Sequence, residues 1–289
     1  MSAATIAPPP EAADPSVMQP AALAAARAEF DAIDDAVHDL LMRRAGLSAQ
    51  LAAHGMKAGG ASFRPGREAM ILRRLLARHQ GPMARGTVVR LWREVISSSL
   101  RQQSAFSVAA LAGAEGLARG HFGLDTPLRA HPSPARVLAA LSAGEASVAI
   151  LPAPADGDER EAAWWASLDA PRLQVVAALP ILLPPGQGQP SALVVAAFAA
   201  DATPADRGLV RLERAPDTSR GALLAALAGA GLTPRRLILA AGGARALAEV
   251  EGLLRPDDPR LAALSAARPT VIGGFAEPVA EDAPGAAPG

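Results

Sequence analysis

The sequence contains no cysteine and no tyrosine, and aromatic residues make up 3% of its 289 positions. Without cysteine the chain can form no disulfide, no thiolate metal site and no cysteine nucleophile, which is typical of a reducing compartment. Since 50% of the residues are hydrophobic, the core has to be built mainly from alanine, leucine and valine. The length allows two domains, or three small ones.

An excess of charge of either sign is also lacking, because 28 Lys and Arg balance 28 Asp and Glu. This balance argues against a basic nucleic-acid-binding surface. No uncharged apolar run approaches the roughly 18 residues of a membrane-spanning helix. The Ala-, Pro- and Gly-rich ends, residues 1–19 and 277–289, predict a disordered arm and a disordered tail, and the arm lacks the features of a secretory signal. We therefore expect a cytoplasmic protein with no nucleic-acid or membrane partner.

The segment after the arm carries a continuous apolar stripe at alternating three- and four-residue steps, which is the spacing of one helix face. It predicts a helix of about 30 residues, roughly 45 Å long. A helix of this length cannot bury its stripe against short neighbours alone, so we expect a second copy of the chain to cover it, as a homodimer. The stripe consists of Leu23, Ala26, Phe30, Ile33, Val37, Leu40, Arg44, Leu47 and Leu51.

Two shorter helices are predicted at about residues 67–79 and 83–103, with Gly81-Pro82 between them. Polar residues occupy four positions on the three stripes where the period calls for an apolar one, namely Arg44, Glu68, Ser99 and Gln103. Any one of them alone is more simply a satisfied structural group. Because buried charge is costly unless it is paired, the four together predict a polar pocket in a helical bundle. Because the pocket contains an arginine and neutral hydrogen-bond donors but few carboxylates, it is suited to binding a small anion.

Residues 23–103 resemble the helical, AroQ-type chorismate mutases. The resemblance is carried by three blocks in the right order, ARAEFDAIDDAVHDLLMRRAGL, RPGREAMILRRLLARHQGP and LWREVISSSLRQQ. It implies an intertwined helical dimer that rearranges chorismate, a dicarboxylate, to prephenate. It also implies that the reaction uses no metal, no cofactor and no covalent intermediate.

The resemblance implies a set of residues that hold the two substrate carboxylates. Arg27 matches the arginine that reaches across the dimer to one carboxylate, and Arg44 matches the arginine that holds the other within its own subunit. Ser99 matches a residue that helps to hold a carboxylate. Such contacts would keep the substrate in a compact conformation close to the transition state.

The resemblance also implies the groups that act on the reacting atoms. Arg67 and Glu68 match the Arg-Glu pair that opens the second helix. Arg67 would bind the substrate, and Glu68 would accept a hydrogen bond from the substrate hydroxyl. Gln103 matches the residue that donates to the ether oxygen, where negative charge grows in the transition state. Because a glutamine is a donor at every pH, this contact needs no protonation.

One departure concerns the cation of the family that touches the ether oxygen. The family places a lysine eleven residues after the inner arginine, where this sequence has Gly55. The sole lysine of the chain is Lys57, and a two-residue shift turns a helical side chain by about 200°. Lys57 would serve as the catalytic cation if the helix unwinds near Gly55. The acidic residue that the family has before the second helix is replaced by Arg64, which is predicted to supply a compensating positive charge.

The remaining sequence predicts an α/β region. Residues 105–204 read as strands and short helices and resemble the first lobe of a prephenate dehydratase, but the Thr-Arg-Phe motif of that enzyme is absent. Residues 205–276 read as βαββαβ, the ACT-like arrangement. Here Gly221-Ala222-Leu223 resembles one regulatory motif, whereas the second, Glu-Ser-Arg-Pro, is absent. A dimerisation or packing module is the preferred interpretation of this unit, and a regulatory domain that binds an aromatic amino acid is the alternative.

The predicted fold class is therefore α plus α/β, with a three-helix chorismate mutase domain over residues 20–104. The predicted function is chorismate mutase. Two alternatives stay open: an isochorismate–pyruvate lyase of the same fold, and a catalytically weak regulatory partner of a shikimate-pathway enzyme.

Overall fold

The structure, a computed structural model, describes residues 19–55, 62–215 and 217–281. It divides into two compact units, Met1–Gln50 and Leu51–Gly289. Lys57 and almost all of the predicted N-terminal arm lie outside the described residues. None of the helices in the described ranges has the length and apolar character needed to cross a membrane.

Helices dominate the first third of the chain. The long helix predicted there runs for 36 residues rather than about 30, because it extends by a few residues beyond each end of the apolar stripe Leu23 to Leu51. The second helix begins two residues earlier than predicted, with a proline in its first turn, where the missing N–H leaves no bond unmade. The helices are α1 (Pro20–Gly55), α2 (Pro65–Ala77), α3 (Arg85–Gln103), α4 (Glu115–Phe122), α5 (Pro134–Ser142) and α6 (Arg220–Gly229).

The strands form a nine-stranded sheet in the order β2-β1-β3-β6-β4-β10-β7-β9-β8 and a two-stranded sheet, β11-β5. The described residues also include two 3₁₀ helices, Trp164–Ser167 and Pro259–Ala267. The strands are β1 (Val108–Leu111), β2 (Leu128–His131), β3 (Val148–Pro152), β4 (Gln174–Leu179), β5 (Leu182–Leu183), β6 (Ala192–Ala196), β7 (Asp206–Glu213), β8 (Pro234–Leu239), β9 (Arg245–Glu251), β10 (Thr270–Ala276) and β11 (Val279–Ala280).

The sheet joins the two predicted C-terminal regions. Parallel strands β2, β1 and β3, with α4 and α5 as connections, lie at one end. Strands β10, β7, β9 and β8 pair antiparallel at the other end and give the βαββαβ order predicted for residues 205–276. The second helix of that unit is a 3₁₀ helix where an α-helix was predicted.

The two ends meet where β10 pairs parallel with β4, at Gly273 and Val175. Gly273 has φ +117°, and a Cβ there would collide with the backbone of Val175. This approach requires a glycine, because the backbone conformation and the lack of space both exclude a side chain. The prediction of a disordered tail from residue 277 is wrong for its first residues. Strand β11 pairs with β5, which satisfies its backbone groups.

Candidate functional site

The loop before α2 is anchored by an aromatic cluster. Phe63, 3% exposed, has its ring centroid 5.6 Å from that of Phe106, 5.3 Å from Phe122 and 6.2 Å from Phe198. Four of the six phenylalanines in the chain meet here. Because buried aromatic pairs add to the free energy gained by burying their area, this cluster fixes where the chain enters α2.

The first turn of α2 is capped by a residue distant in sequence. Arg64, at the N-cap position, makes no side-chain cap. Instead, the Asp201 carboxylate accepts hydrogen bonds from the amide of Gly66 to Oδ1 (2.9 Å) and from the amide of Arg67 to Oδ2 (3.1 Å). The Arg64 guanidinium lies 3.6 Å from Oδ2. A carboxylate at this position satisfies amides that the helix leaves unpaired and is favoured by the helix dipole.

Arg67 and Glu68, adjacent in sequence, face different surroundings because successive helical side chains are about 100° apart. Arg67 is exposed, whereas Glu68 is buried between α2 and α3. Glu68 Oε2 lies 2.8 Å from Nη2 of Arg93, and their side chains are 9% and 4% exposed. The carboxylate that the resemblance assigns to the substrate hydroxyl is thus already paired inside the chain.

Arg93 also connects α3 to the end of α4. Its Nε donates to the carbonyl of His121 at 2.7 Å, and Ser97 Oγ lies 3.3 Å from the same oxygen. His121 lies in the last turn of α4, where carbonyl groups have no partner within the helix. Arg93 and Ser97 supply that partner. Arg93 therefore connects Glu68 of α2 to the end of α4 in the α/β region.

Burial governs the electrostatics of this cluster. It raises the pKa of Glu68, an effect that the charge and hydrogen bond of Arg93 oppose and the charge of Asp201 reinforces. Burial, together with the nearby Arg93 charge, holds the pKa of His121 well below its ordinary 6.5. Nε2 of His121 has no hydrogen-bond partner among the residues that the structure describes. His121 is therefore neutral at physiological pH.

The predicted third-helix pair lies on one side of α3. Ser99 and Gln103 are four residues apart and are both half-buried, on the same stripe as Trp92 and Val95. Ser99 Oγ donates to the carbonyl of Val95 at 3.0 Å, one turn back. The fully buried side of α3, which contains Arg93, Ser97 and Leu100, is turned from this stripe by roughly a third of the circumference.

Arg27 and Arg44 lie on α1. Arg27 is exposed, whereas Arg44 is half-buried, and burial lowers its pKa. They are 17 residues apart on one continuous helix, which corresponds to roughly 25 Å along the axis. Arg64 is largely exposed beside Asp201. The helix as described ends at Gly55, so the environment of Lys57 stays a prediction.

Sequence reasoning missed Arg93 and Asp201. Arg93 and Ser97 are four residues apart and lie with Leu100 on one face of α3. The apolar period predicted that a different face, the one with Trp92, Val95 and Ser99, is buried. Asp201 gives no local signal, because it caps a helix 134 residues away in sequence.

Comparison with known proteins identifies the N-terminal segment. Residues 26–104 match the family model "Chorismate mutase type II". A bifunctional chorismate mutase/prephenate dehydratase of Stutzerimonas stutzeri is 36% identical over 111 residues, which are 35% of this chain and 30% of that protein. The protein of the same description from Pseudomonas aeruginosa is 31% identical over 143 residues, 45% of this chain and 38% of that protein. The chain thus matches about a third of the length of these relatives.

The resemblance to the chorismate mutases is confirmed over this segment, and so is the predicted fold class, helical at the N-terminus and mixed α/β after it. Among solved structures, a prephenate dehydratase from Streptococcus mutans aligns with 60% of this chain and 99% of its own, at 16% identity and a TM-score of 0.41.

Proposed function

We propose that the chain is a chorismate mutase that converts chorismate to prephenate without a metal or cofactor. The observation that carries this proposal is the family match over residues 26–104. That segment retains Arg27, Arg44, Arg67, Glu68, Ser99 and Gln103 at positions that the resemblance assigns to the substrate, whereas the position of the family's lysine is Gly55. A cytoplasmic location is part of the same proposal.

The reaction breaks a carbon–oxygen bond ahead of the carbon–carbon bond that replaces it, so negative charge grows on the ether oxygen. The resemblance implies that Arg44 and Arg67 would bind the anionic substrate and that Gln103 would donate to that oxygen. Ser99 would turn its hydroxyl from the Val95 carbonyl to a carboxylate, which is a small movement. Glu68 is buried in its pair with Arg93, so a contact with the substrate hydroxyl would require its carboxylate to turn away from that arginine.

A homodimer is part of the proposal, and the length of α1 supports it. Two arginines roughly 25 Å apart on one helix cannot hold the same small molecule, so Arg27 would contribute to the site of a second copy. The apolar stripe is available for that copy. Phe30 is 67% exposed, Leu40 64% and Leu51 67%, whereas side chains of this kind are ordinarily buried.

Dehydratase activity is not proposed, because the Thr-Arg-Phe motif is absent from the sequence. In the ACT-like unit, the Gly221-Ala222-Leu223 turn opens α6, where Ser219 Oγ accepts a hydrogen bond from the amide of Ala222 at 3.1 Å. This arrangement caps a helix that packs through the buried Leu223. A dimerisation or packing module stays the preferred interpretation, and an aromatic amino acid effector stays the alternative.

The test is the loss of chorismate absorbance with purified full-length protein, with the products identified by chromatography. Prephenate as the sole product supports the proposal. Pyruvate and salicylate formed from isochorismate would assign the lyase reaction instead. No turnover, combined with stimulation of another shikimate-pathway enzyme, would assign the regulatory role.

A further inference from the structure

The N-terminus of α2 is held by the α/β region. The amides of Gly66 and Arg67 donate to the two oxygens of Asp201, on the loop between β6 and β7. Gly66 permits this close approach, because a Cβ at that position would lie 2.9 Å from Asp201 Cγ and would press on the Asp201 backbone. The helix start and the loop are therefore fitted to each other.

A second attachment lies two turns further along α2. Nη1 of Arg73 donates to Thr203 Oγ1 at 2.9 Å, and its Nη2 donates to the carbonyls of Ala205 (2.7 Å) and Glu277 (2.5 Å). Thr203 in turn donates to Asp206 Oδ1 at 2.6 Å, at the start of β7. The loop that carries Asp201 is thus fixed to the helix as well as to the sheet.

We propose that Asp201 is a positioning residue for the mutase site and acts through Arg67. The inference rests on the proposed function. Asp201 binds the amide of Arg67 itself, so it fixes the backbone from which that side chain reaches the substrate. An uncapped first turn frays, because its amides have no partner within the helix. The backbone of Arg67 would then no longer be held in one position, and its guanidinium would be displaced. A helical domain that depends on a residue near position 200 is complete only with the α/β region attached.

The expected kinetic effect follows from what Arg67 would bind. A substrate carboxylate is present both in the bound substrate and in the transition state, so misplacing its partner weakens both complexes alike. Uniform loss of binding raises KM and leaves kcat nearly unchanged. We expect Asp201→Ala to raise KM for chorismate about tenfold, since displacements of about 1 Å have effects of this order or larger.

The experiment uses two ways of removing the contact, each with a matched control in the full-length protein. Asp201→Ala is compared with Asp258→Ala, which removes an aspartate that caps the 3₁₀ helix Pro259–Ala267 through the amide of Arg260. Gly66→Ala, which pushes the helix start away from an intact Asp201, is compared with Gly120→Ala in α4, where a Cβ meets nothing within 4 Å. Asp201→Asn, which keeps one of the two acceptor oxygens, serves as the variant of partial rescue. Thermal unfolding of every variant is recorded beside kcat and KM.

The inference is supported if KM rises in both Asp201→Ala and Gly66→Ala while kcat stays within about twofold of the wild-type value. Both controls should keep the wild-type KM, and Asp201→Asn should recover part of the loss. A wild-type KM in either of the two variants overturns it while leaving the proposed function intact. No chorismate turnover by the wild-type protein refutes the proposed function, and the inference with it. If Asp201→Ala does not fold, the comparison of Gly66→Ala with Gly120→Ala decides.

Discussion

Nη2 of Arg93 lies 2.8 Å from Oε2 of Glu68, and both side chains are more than nine-tenths buried. The pair joins α2 to α3, and through the carbonyl of His121 it also joins α3 to α4. Removing two charges from water is costly, and their attraction and hydrogen bonds have to offset that cost. The pair therefore specifies how these helices pack and places the carboxylate of Glu68.

Removing one member of this pair should be far more damaging than removing a neighbouring surface arginine. We expect Arg93→Met to lower the free energy of unfolding by about 3–5 kcal/mol, because it leaves the Glu68 charge buried and unpaired. Arg90→Met is the control, since Arg90 is an exposed residue of the same helix, and its effect should stay within about 0.5 kcal/mol. Urea unfolding measures both. Equal effects of the two substitutions would contradict a special role for the buried pair.

His121 should make the protein less stable in mild acid. Its pKa lies well below the ordinary 6.5, so as the pH falls below about 6.5 the unfolded chain takes up a proton that the native state does not. The free energy of unfolding then decreases by up to about 1.4 kcal/mol per pH unit from this group. Glu68, whose pKa is raised above 4.5, acts in the opposite direction, because the native state there holds a proton that the unfolded chain releases.

The contribution of His121 is separated by comparing the wild-type protein with His121→Phe at pH 7.5 and 5.5. The substitution keeps an aromatic ring in the buried site and removes the titration. We expect the difference in unfolding free energy between the two pH values to shrink in the variant. An unchanged difference would show that the acid sensitivity arises elsewhere.

Much of the helical region was predictable, because local periodicity and the polar exceptions to it reveal helices and the stripes they present. Arg44, Ser99 and Gln103 were singled out in this way, and their roles stay predictions, whereas the order of strands and helices over residues 205–276 is seen in the structure. Contacts between distant segments were not predictable from local pattern. The burial of Glu68 against Arg93, the cap of α2 by Asp201 and the joining of two regions into one sheet at Gly273 all depend on tertiary packing.

Neighbouring arginines on α1 should differ sharply in their effect on catalysis. Arg44→Ala is expected to lower kcat/KM by roughly 10³ or more, because a preorganised charged contact to the substrate is lost. Arg43 points about 100° away and is exposed, so Arg43→Ala should stay near the wild-type value. Steady-state kinetics with chorismate gives both numbers. Near-normal activity of Arg44→Ala would remove this residue from the proposed site.

Opposite faces of α1 should differ in their effect on assembly. Leu40 and Met42 are 64% and 54% exposed, but they lie about 160° apart around the helix. Leu40→Glu places a charge in the apolar stripe and should shift the protein toward monomer, with loss of mutase activity. Met42→Glu should leave both unchanged. Sedimentation velocity over a range of concentrations tests this, and identical behaviour of the two variants would argue against a dimer formed through the stripe.

The cation at the ether oxygen can be assigned by substituting the two candidates separately. Lys57 is the sole lysine of the sequence, and Arg64, with a side chain 64% exposed, lies 3.6 Å from Asp201. If the helix unwinds near Gly55, Lys57→Ala is expected to lower kcat by about 10²–10³, the scale of a lost contact to charge that develops in the transition state. Arg64→Ala should have a much smaller effect, since Asp201 retains the amides of Gly66 and Arg67 as partners. A normal rate in Lys57→Ala combined with a collapsed rate in Arg64→Ala would transfer the role to Arg64. It would also mean that the substitution before the second helix compensates for the lysine missing at Gly55.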